Sequence, residues 1–546
     1  MSKELLTAQT PLGANNSNHI ILYSSAASPC VRRVRITLIE KGIDFDTVEI
    51  SLPNMEQRSD EYLALNPNGY VPTLCHGERV LFESSVINQY LEEQFPDAPL
   101  IPKDPAGQAK VAMWIEAEGA MAKIFRPIMY QRIQAPVIHI SRTLEESLKI
   151  VERATHDPID KAWQKKVWSL QVLSPNQEAK HQRQLLHWLD RVESALVGQD
   201  YLVGNEFTQA DISLFPRIEM YAYLAIEINA QRYPNVLSWM ARLKLRPSFE
   251  LSMTAEAKKL RKMASSNLLP KVRKTLNKPS KNLKDKIFIW AIGRIMRKMQ
   301  KVNQLLSKQY VRRDLPLPMN TLQTIKSQAI KPFMGITKKA DVTLYGNTNS
   351  VHSQRIVSLL NLLNIKYQYE EINLKDNQQQ GSQFLALNPL GQVPVLKHGA
   401  QVLYDSGIIA QYLCQLFDKQ QNWLPNNSWH NAQHRMWLAL EAGTHKEFKP
   451  LCDKHIFNIS QGQAHIVNES LSLKRIHDKL QPLETTLNKT RFLCGDNLQY
   501  ADLAWHSRIT QLQCIPGFSL MDFPTINEWL TCANQSLSAK GNSTWG

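Results

Sequence analysis

A backbone edge and a helix start lie close together in one stretch of this chain. Asn66-Pro67-Asn68-Gly69-Tyr70-Val71-Pro72-Thr73-Leu74 reads as a turn running into a short apolar strand, and Phe82-Glu83-Ser84-Ser85-Val86-Ile87 follows. Pro72 cannot donate to a sheet ladder, so it belongs at a strand's first residue, on an edge, or at a cis turn. A cis bond there leaves the N–H and C=O of Val71 free to pair with an extended ligand. Glu83 and Ser84 put an acid and a hydroxyl at a helix start, where unpaired N–H groups attract carboxylates. Together these features describe a site for a small peptide.

The stretch recurs 322 residues later as Asn388-Pro389-Leu390-Gly391-Gln392-Val393-Pro394-Val395-Leu396, followed by Tyr404-Asp405-Ser406-Gly407-Ile408-Ile409. From Tyr23/Tyr345 to Tyr90/Tyr412 the copies align without a gap. The pairs include Ser28/Ser350, Arg33/Arg355, Pro72/Pro394 and Ser84/Ser406. Asp211 pairs with Asp502 at an offset of 291, so the first copy carries 31 extra residues, expected in the polar region 131–180. The chain reads as one two-part unit built twice.

The elements that must hold the site follow from periodicity. A strand at His19–Tyr23, a helix from Val31 to Lys41, a strand over Phe45–Ser51, a short helix at Asp60–Leu65, the Val-Pro strand, a strand at Val80–Phe82 and a helix to Phe95 give the order βαβαββα. That order calls for a mixed sheet with helices on its faces. Residues 105–252 are helical in period. Inside them Thr208 and Asp211 form a capping box with a structural role only. The expected division is a tail at 1–18, an α/β domain at 19–97, an all-α domain at 105–252 and a linker at 253–339. A second α/β domain at 340–418 and a second all-α domain at 426–541 complete it.

Composition bounds the answer further. The chain has 546 residues and a net charge of +15, yet 254–340 alone holds 22 Lys/Arg against Glu256, Asp285 and Asp314, a balance of +19. The remainder is therefore mildly acidic, at −4. Five prolines interrupt this basic segment, which carries one amphipathic stretch, Leu283 to Leu306. A solvated linker is the first reading, contact with an anionic membrane surface the next. Nucleic acid is the last, since no aromatic residues are interleaved for base stacking. Seven scattered cysteines without a C-x-x-C argue for free thiols in a reducing compartment and a cytoplasmic protein. His430 and His434 are spaced i, i+4 but lack the glutamate of a zinc protease, so no metal is expected.

With the NPxGxVPxL turn, the acid-serine helix start and an all-α half, each copy resembles a cytosolic glutathione transferase. The run Tyr23-Ser24-Ser25-Ala26-Ala27-Ser28-Pro29-Cys30-Val31-Arg32-Arg33-Val34-Arg35-Ile36 is most similar to the zeta-type start, S-S-C-x-x-R-V-R-I, with Pro29 in place of its second serine. The resemblance implies a thioredoxin-like fold and glutathione as co-substrate. It makes Ser28 the active-site hydroxyl and places glutathione on the Val71 backbone beside cis-Pro72, with Glu83 taking its ammonium and Ser84 its α-carboxylate. In the second copy Ser350, Val393, Pro394, Asp405 and Ser406 take these places. A hydroxyl at a helix N-terminus favours a thiolate by hydrogen bonding and the helix dipole. A plain N-cap is the competing role for Ser28. Cys30 is either a small packed residue or a partner in a mixed disulfide with glutathione. Arg32, Arg33 and Arg35 are expected more on solvated surface than on ligand.

Two functions compete. One is a glutathione-dependent enzyme attacking a small hydrophobic electrophile by conjugation, isomerisation or reductive dehalogenation, with the second copy the weaker. The other is a non-catalytic glutathione-binding regulator acting through protein, membrane-surface or nucleic-acid contacts. Because the family pairs as homodimers, two copies in one chain imply an internal pseudo-dimer.

Overall fold

The computed structural model describes residues 19–26, 28–155, 158–224, 226–264, scattered positions between 271 and 294, 342–457 and 469–539. The tail at 1–18 and most of the basic segment, including most of the amphipathic stretch 283–306, lie outside them. The described residues fall into two compact units: those within 1–100 and 114–326, and those within 101–113 and 327–546.

In the first unit, β1 (Ile20–Ser24) leads into α1 (Pro29–Glu40) and β2 (Asp46–Glu49), then α2 (Asp60–Leu65), β3 (Thr73–His76), β4 (Arg79–Phe82) and α3 (Ser84–Gln94). The sheet order is β2-β1-β3-β4. β1 runs parallel to β2, with Tyr23 beside Val48, and antiparallel to β3, with Tyr23 beside Thr73. The single parallel pair needs the helical crossover that α1 supplies. Period-2 and period-3.6 patterning bring Leu22, Val34, Leu38, Leu74, Leu81, Ile87 and Leu91 to zero exposure. Gly77 closes the β3–β4 hairpin at φ +57°, in the left-handed region that glycine enters without cost.

The helical half opens with α4 (Pro105–Met129), which passes through a π-helical turn at Tyr130–Gln134. Three short helices follow, α5 (Ala135–Ser141), α6 (Leu144–Ala154) and α7 (Pro158–Trp168). They lie within 131–180, the region in which the sequence expects the extra length of the first copy. Ala135, Ile138, Val151, Val167 and Trp168 form a small core of their own with Met55. Beyond them come α8 (Pro175–Ala195), α9 (Gln209–Glu219), α10 (Pro234–Lys244), α11 (Pro247–Leu251) and α12 (Ala255–Ala264). Thr208 caps α9, while Asp211 accepts from the Thr208, Leu202 and Trp239 N–H groups. The basic segment opens as α12, which is tied back to α9 by Arg261 and Glu219 at 3.1 Å.

The second unit repeats the plan with β5 (Val342–Gly346), α13 (Val351–Leu362), β6 (Gln368–Glu371), α14 (Ser382–Leu387), β7 (Val395–His398), β8 (Gln401–Tyr404) and α15 (Ser406–Phe417). The sheet order is β6-β5-β7-β8, and Tyr345 stands beside Glu370 and Val395 as Tyr23 stands beside Val48 and Thr73. Its helical half is α16 (Ser428–Gly443), α17 (His445–His455), α18 (Glu469–Leu487), α19 (Tyr500–Leu512) and α20 (Pro524–Ala539). Each unit is thus a thioredoxin-like βαβαββα half with an all-helical half. No described helix is long and apolar enough to cross a membrane.

Candidate functional site

The site of the first unit is assembled from the starts of two helices and the turn before β3. Ser28 is the N-cap of α1, in extended conformation, and its Oγ accepts from Val31 N at 3.3 Å. With Oγ used as an acceptor, the hydroxyl proton stays available to a ligand at the helix N-terminus. The Val71–Pro72 bond is cis, as is Val393–Pro394. The Tyr70 carbonyl is taken by Tyr62 Oη at 2.7 Å and Asn66 Nδ2 at 2.8 Å. Among the described residues, the Val71 backbone has no hydrogen-bond partner in the protein.

Glu83 caps α3 at φ +65° and makes no side-chain bond to its own helix. Its Oε1 accepts from Asn68 Nδ2 at 3.2 Å, which aims the carboxylate at the turn that carries Val71. Ser84 is buried, and Arg33 Nε donates to its Oγ at 2.7 Å. Arg33 is pinned in turn by Glu118 at 3.1 Å, and Arg217 shares that carboxylate. Burial alone would raise the Glu118 carboxyl, but Arg217 and Arg33 outweigh it and hold the group ionised below the usual carboxylate range. The guanidinium on Ser84 is therefore permanent, neutralised from behind and unable to swing.

The expectation that Arg32, Arg33 and Arg35 lie more on solvated surface is corrected here. Arg32 pairs with Glu219 at 2.5 Å and donates to the Phe249 carbonyl at 3.0 Å, Arg33 serves Ser84, and Arg35 donates to Ser24 Oγ at 3.0 Å. A helix buried on two faces has little solvated surface, so Arg32 and Arg33 become clamps to the helical half, through Glu219 and Glu118, while Arg35 is held against β1. Cys30 is half-buried, its Sγ lying 3.9 Å from both Arg33 Nη2 and Arg217 Nη2.

The second unit places its residues alike, with different chemistry behind them. Ser350 caps α13 and accepts from Ser353 N at 3.4 Å. The Asp405 side chain folds back on its own helix, Oδ1 accepting from Gly407 N at 2.8 Å and Ile408 N at 3.1 Å. The shorter side chain is thus committed where Glu83 is not. Arg355, Glu441 and Arg508 repeat the buried Arg-Glu-Arg group, with Arg355 donating through both Nη atoms, at 3.1 and 2.9 Å. Sequence reasoning missed this group. Its signal was present in Glu118/Glu441 and Arg217/Arg508, which recur at offsets of 323 and 291. No group of three or more His, Cys, Asp or Glu able to hold a metal occurs among the described residues.

A thioredoxin-like half joined to a helical half, with a cis-Pro edge and a serine-headed helix, defines a glutathione-transferase type of protein. The profile of the glutathione S-transferase N-terminal domain matches residues 22–99 and again 340–415, and that of the C-terminal domain matches 160–247. Glutathione S-transferase 3 of Zea mays is 30% identical over 239 residues, 43% of this chain and 93% of that protein. The zeta class transferase of Euphorbia esula is 45% identical over 89 residues, 16% of this chain and 40% of that protein. The theta class transferase of Xanthomonas axonopodis pv. citri, solved with glutathione bound, is 26% identical with a TM-score of 0.34, covering 44% of this chain and 98% of that one. The chain belongs to the glutathione S-transferase family of enzymes.

Proposed function

We propose that the first unit activates the thiol of glutathione for attack on a small hydrophobic electrophile, in conjugation, isomerisation or reductive dehalogenation. The observation that carries this is Ser84 held by Arg33, a residue of the same helix that Ser28 caps, which ties the two helix starts into one site beside the free Val71 backbone. In this reading the γ-glutamyl carboxylate takes the Ser84 hydroxyl and the α3 N-terminus, and its ammonium takes Glu83. The cysteinyl backbone pairs with Val71, next to Pro72. The sulfur then lies at the Ser28 hydroxyl, which donates to it and lowers the cost of the thiolate. In conjugation the thiol gives its proton to solvent, the thiolate forms the new C–S bond, and the leaving group departs with its bonding pair. In isomerisation the C–S bond breaks again and returns glutathione. In reductive dehalogenation a second glutathione thiolate takes the first sulfur as a disulfide while the carbon is protonated. Cys30 lines the floor of the site.

In the second unit Ser350, Val393, Pro394, Asp405 and Ser406 would hold glutathione, with slower turnover. We further read the chain as a tandem duplication with domains at 19–97, 105–252, 340–418 and 426–541, pairing internally. On that reading light scattering gives the single-chain mass, 62.5 kDa, and a mass near twice that removes the internal pair. The test of activity is turnover of a chlorinated aromatic with glutathione by the full chain, beside Ser28→Ala and Ser350→Ala. Equal turnover in Ser28→Ala sinks the mechanism. Retention on immobilised glutathione without turnover favours a regulator, a reading supported by the +19 segment. Unchanged liposome co-sedimentation after deletion of 283–306 removes its membrane form.

A further inference from the structure

The residue two positions after the capping serine differs between the units, being Cys30 in the first and His352 in the second. We propose that His352 positions Ser406 in the second unit, in the place that Arg33 holds beside Ser84 in the first. This rests on the reading above, in which that serine receives a ligand carboxylate.

The geometry shows an exchange of donors. His352 Nδ1 lies 3.2 Å from Ser406 Oγ, and its Nε2 lies 3.5 Å from Arg508 Nη2. A guanidinium can only donate, so Nε2 must be the accepting nitrogen and Nδ1 carries the hydrogen that Ser406 receives. The displaced residue bears the trace. Arg355, which matches Arg33, gives both Nη atoms to Glu441, and its buried Nε is left without a partner. That Nε is the atom which in Arg33 reaches the serine. The imidazole has intercepted the bond.

Every group facing the ring has a consistent part. Arg355 and Arg508 oppose a second positive charge, Glu441 is already shared between them, and His445 stands edge-on at 5.9 Å. Burial, then Arg355, hold the imidazole well below its ordinary 6.5, so the donor is neutral. Tyr500 Oη donates to the Ser406 carbonyl at 2.9 Å and fixes the backbone on the other side. The first site thus orients its serine with a cation that also attracts an anion, while the second does so with a neutral donor. Glutathione, with its two carboxylates, should bind the second site about tenfold more weakly.

The test uses the full chain with Ser84→Ala to silence the first site and calorimetric titration of the second with glutathione. His352→Phe keeps ring volume, which holds Arg355 off the serine, and removes the donor. His352→Asn sets an amide N–H where Nδ1–H stood. His352→Phe should weaken binding about tenfold, Ser406→Ala as much, the double variant no further, and His352→Asn less than about threefold. Wild-type affinity in His352→Phe, or additive losses in the double variant, would overturn the proposal. If Ser406→Ala leaves the titration unchanged, the glutathione reading of the second site fails. The positioning role is then decided by the ¹⁵N imidazole signal that vanishes in His352→Phe. A neutral Nδ1–H form perturbed by Ser406→Ala upholds it, and an Nε2–H form rejects it.

Discussion

Ser28 and Glu118 show how differently a surface cap and a buried charge are valued. Ser28 gives α1 one cap bond at 3.3 Å, so Ser28→Ala should cost about 0.5–2 kcal/mol of stability. Its loss of a charge-assisted bond to sulfur should lower turnover about 10–100-fold. Activity and melting measured on one preparation separate the two effects. Glu118 reverses the balance, since it touches no proposed ligand and yet neutralises Arg33 and Arg217 inside the protein. Glu118→Gln strands buried cations and should cost about 3–5 kcal/mol, read as a lowered denaturant midpoint. Loss of glutathione binding at the first site should accompany it, because Arg33 then no longer holds Ser84.

At the scale of elements, α5–α7 form a small core of their own. These three helices cover the loop between β2 and α2, where Arg142 donates to Asn54 Oδ1 at 3.2 Å and Arg58 meets Asp160 at 3.7 Å. Trp168 is 2% exposed at the heart of that small core, so Trp168→Ala should cost about 3–5 kcal/mol locally. Hydrogen exchange should rise in 135–168 and around Met55 while β1 and β3 keep their protection. Uniform loss of protection across the sheet would show instead that these helices are integral to the main core.

For the whole molecule, acid sensitivity should be concentrated in the second unit. His434 is buried, its Nδ1 has no partner, and burial followed by Arg435 lowers its pKa to about 3. An unfolded histidine titrates near ~6.5, so below that the unfolded chain binds the proton and the folded one does not. Stability is complete above ~6.5 and is lost as pH falls toward about 3. Between pH 7 and 5 this group alone should cost about 2 kcal/mol. Asp502 acts in the opposite sense, because burial raises its pKa to about 6 and folding then favours its protonated form. The clean measurement is therefore differential. Urea unfolding of His434→Phe should show about 2 kcal/mol less loss than the natural chain over that pH interval, and equal slopes would place the acid-sensitive group elsewhere.

The local chemistry of the site was legible in the sequence because it depends on near neighbours. Ser28 caps α1 because a hydroxyl satisfies the first-turn N–H groups, Pro72 opens β3 because it has no N–H to give, and Glu83 and Ser84 head α3. The βαβαββα order and its repetition followed from the same short-range patterning. What only the tertiary structure decided is which side chains meet across more than fifty residues. Arg33 reads as a surface charge on a helix until Ser84, Glu118 and Arg217 close around it, and His352 reads as an ordinary helical histidine until Ser406 and Arg508 face its two nitrogens. Periodicity reports which face of a helix is buried. It does not report what stands opposite that face, and the donor behind each unit's serine is set there.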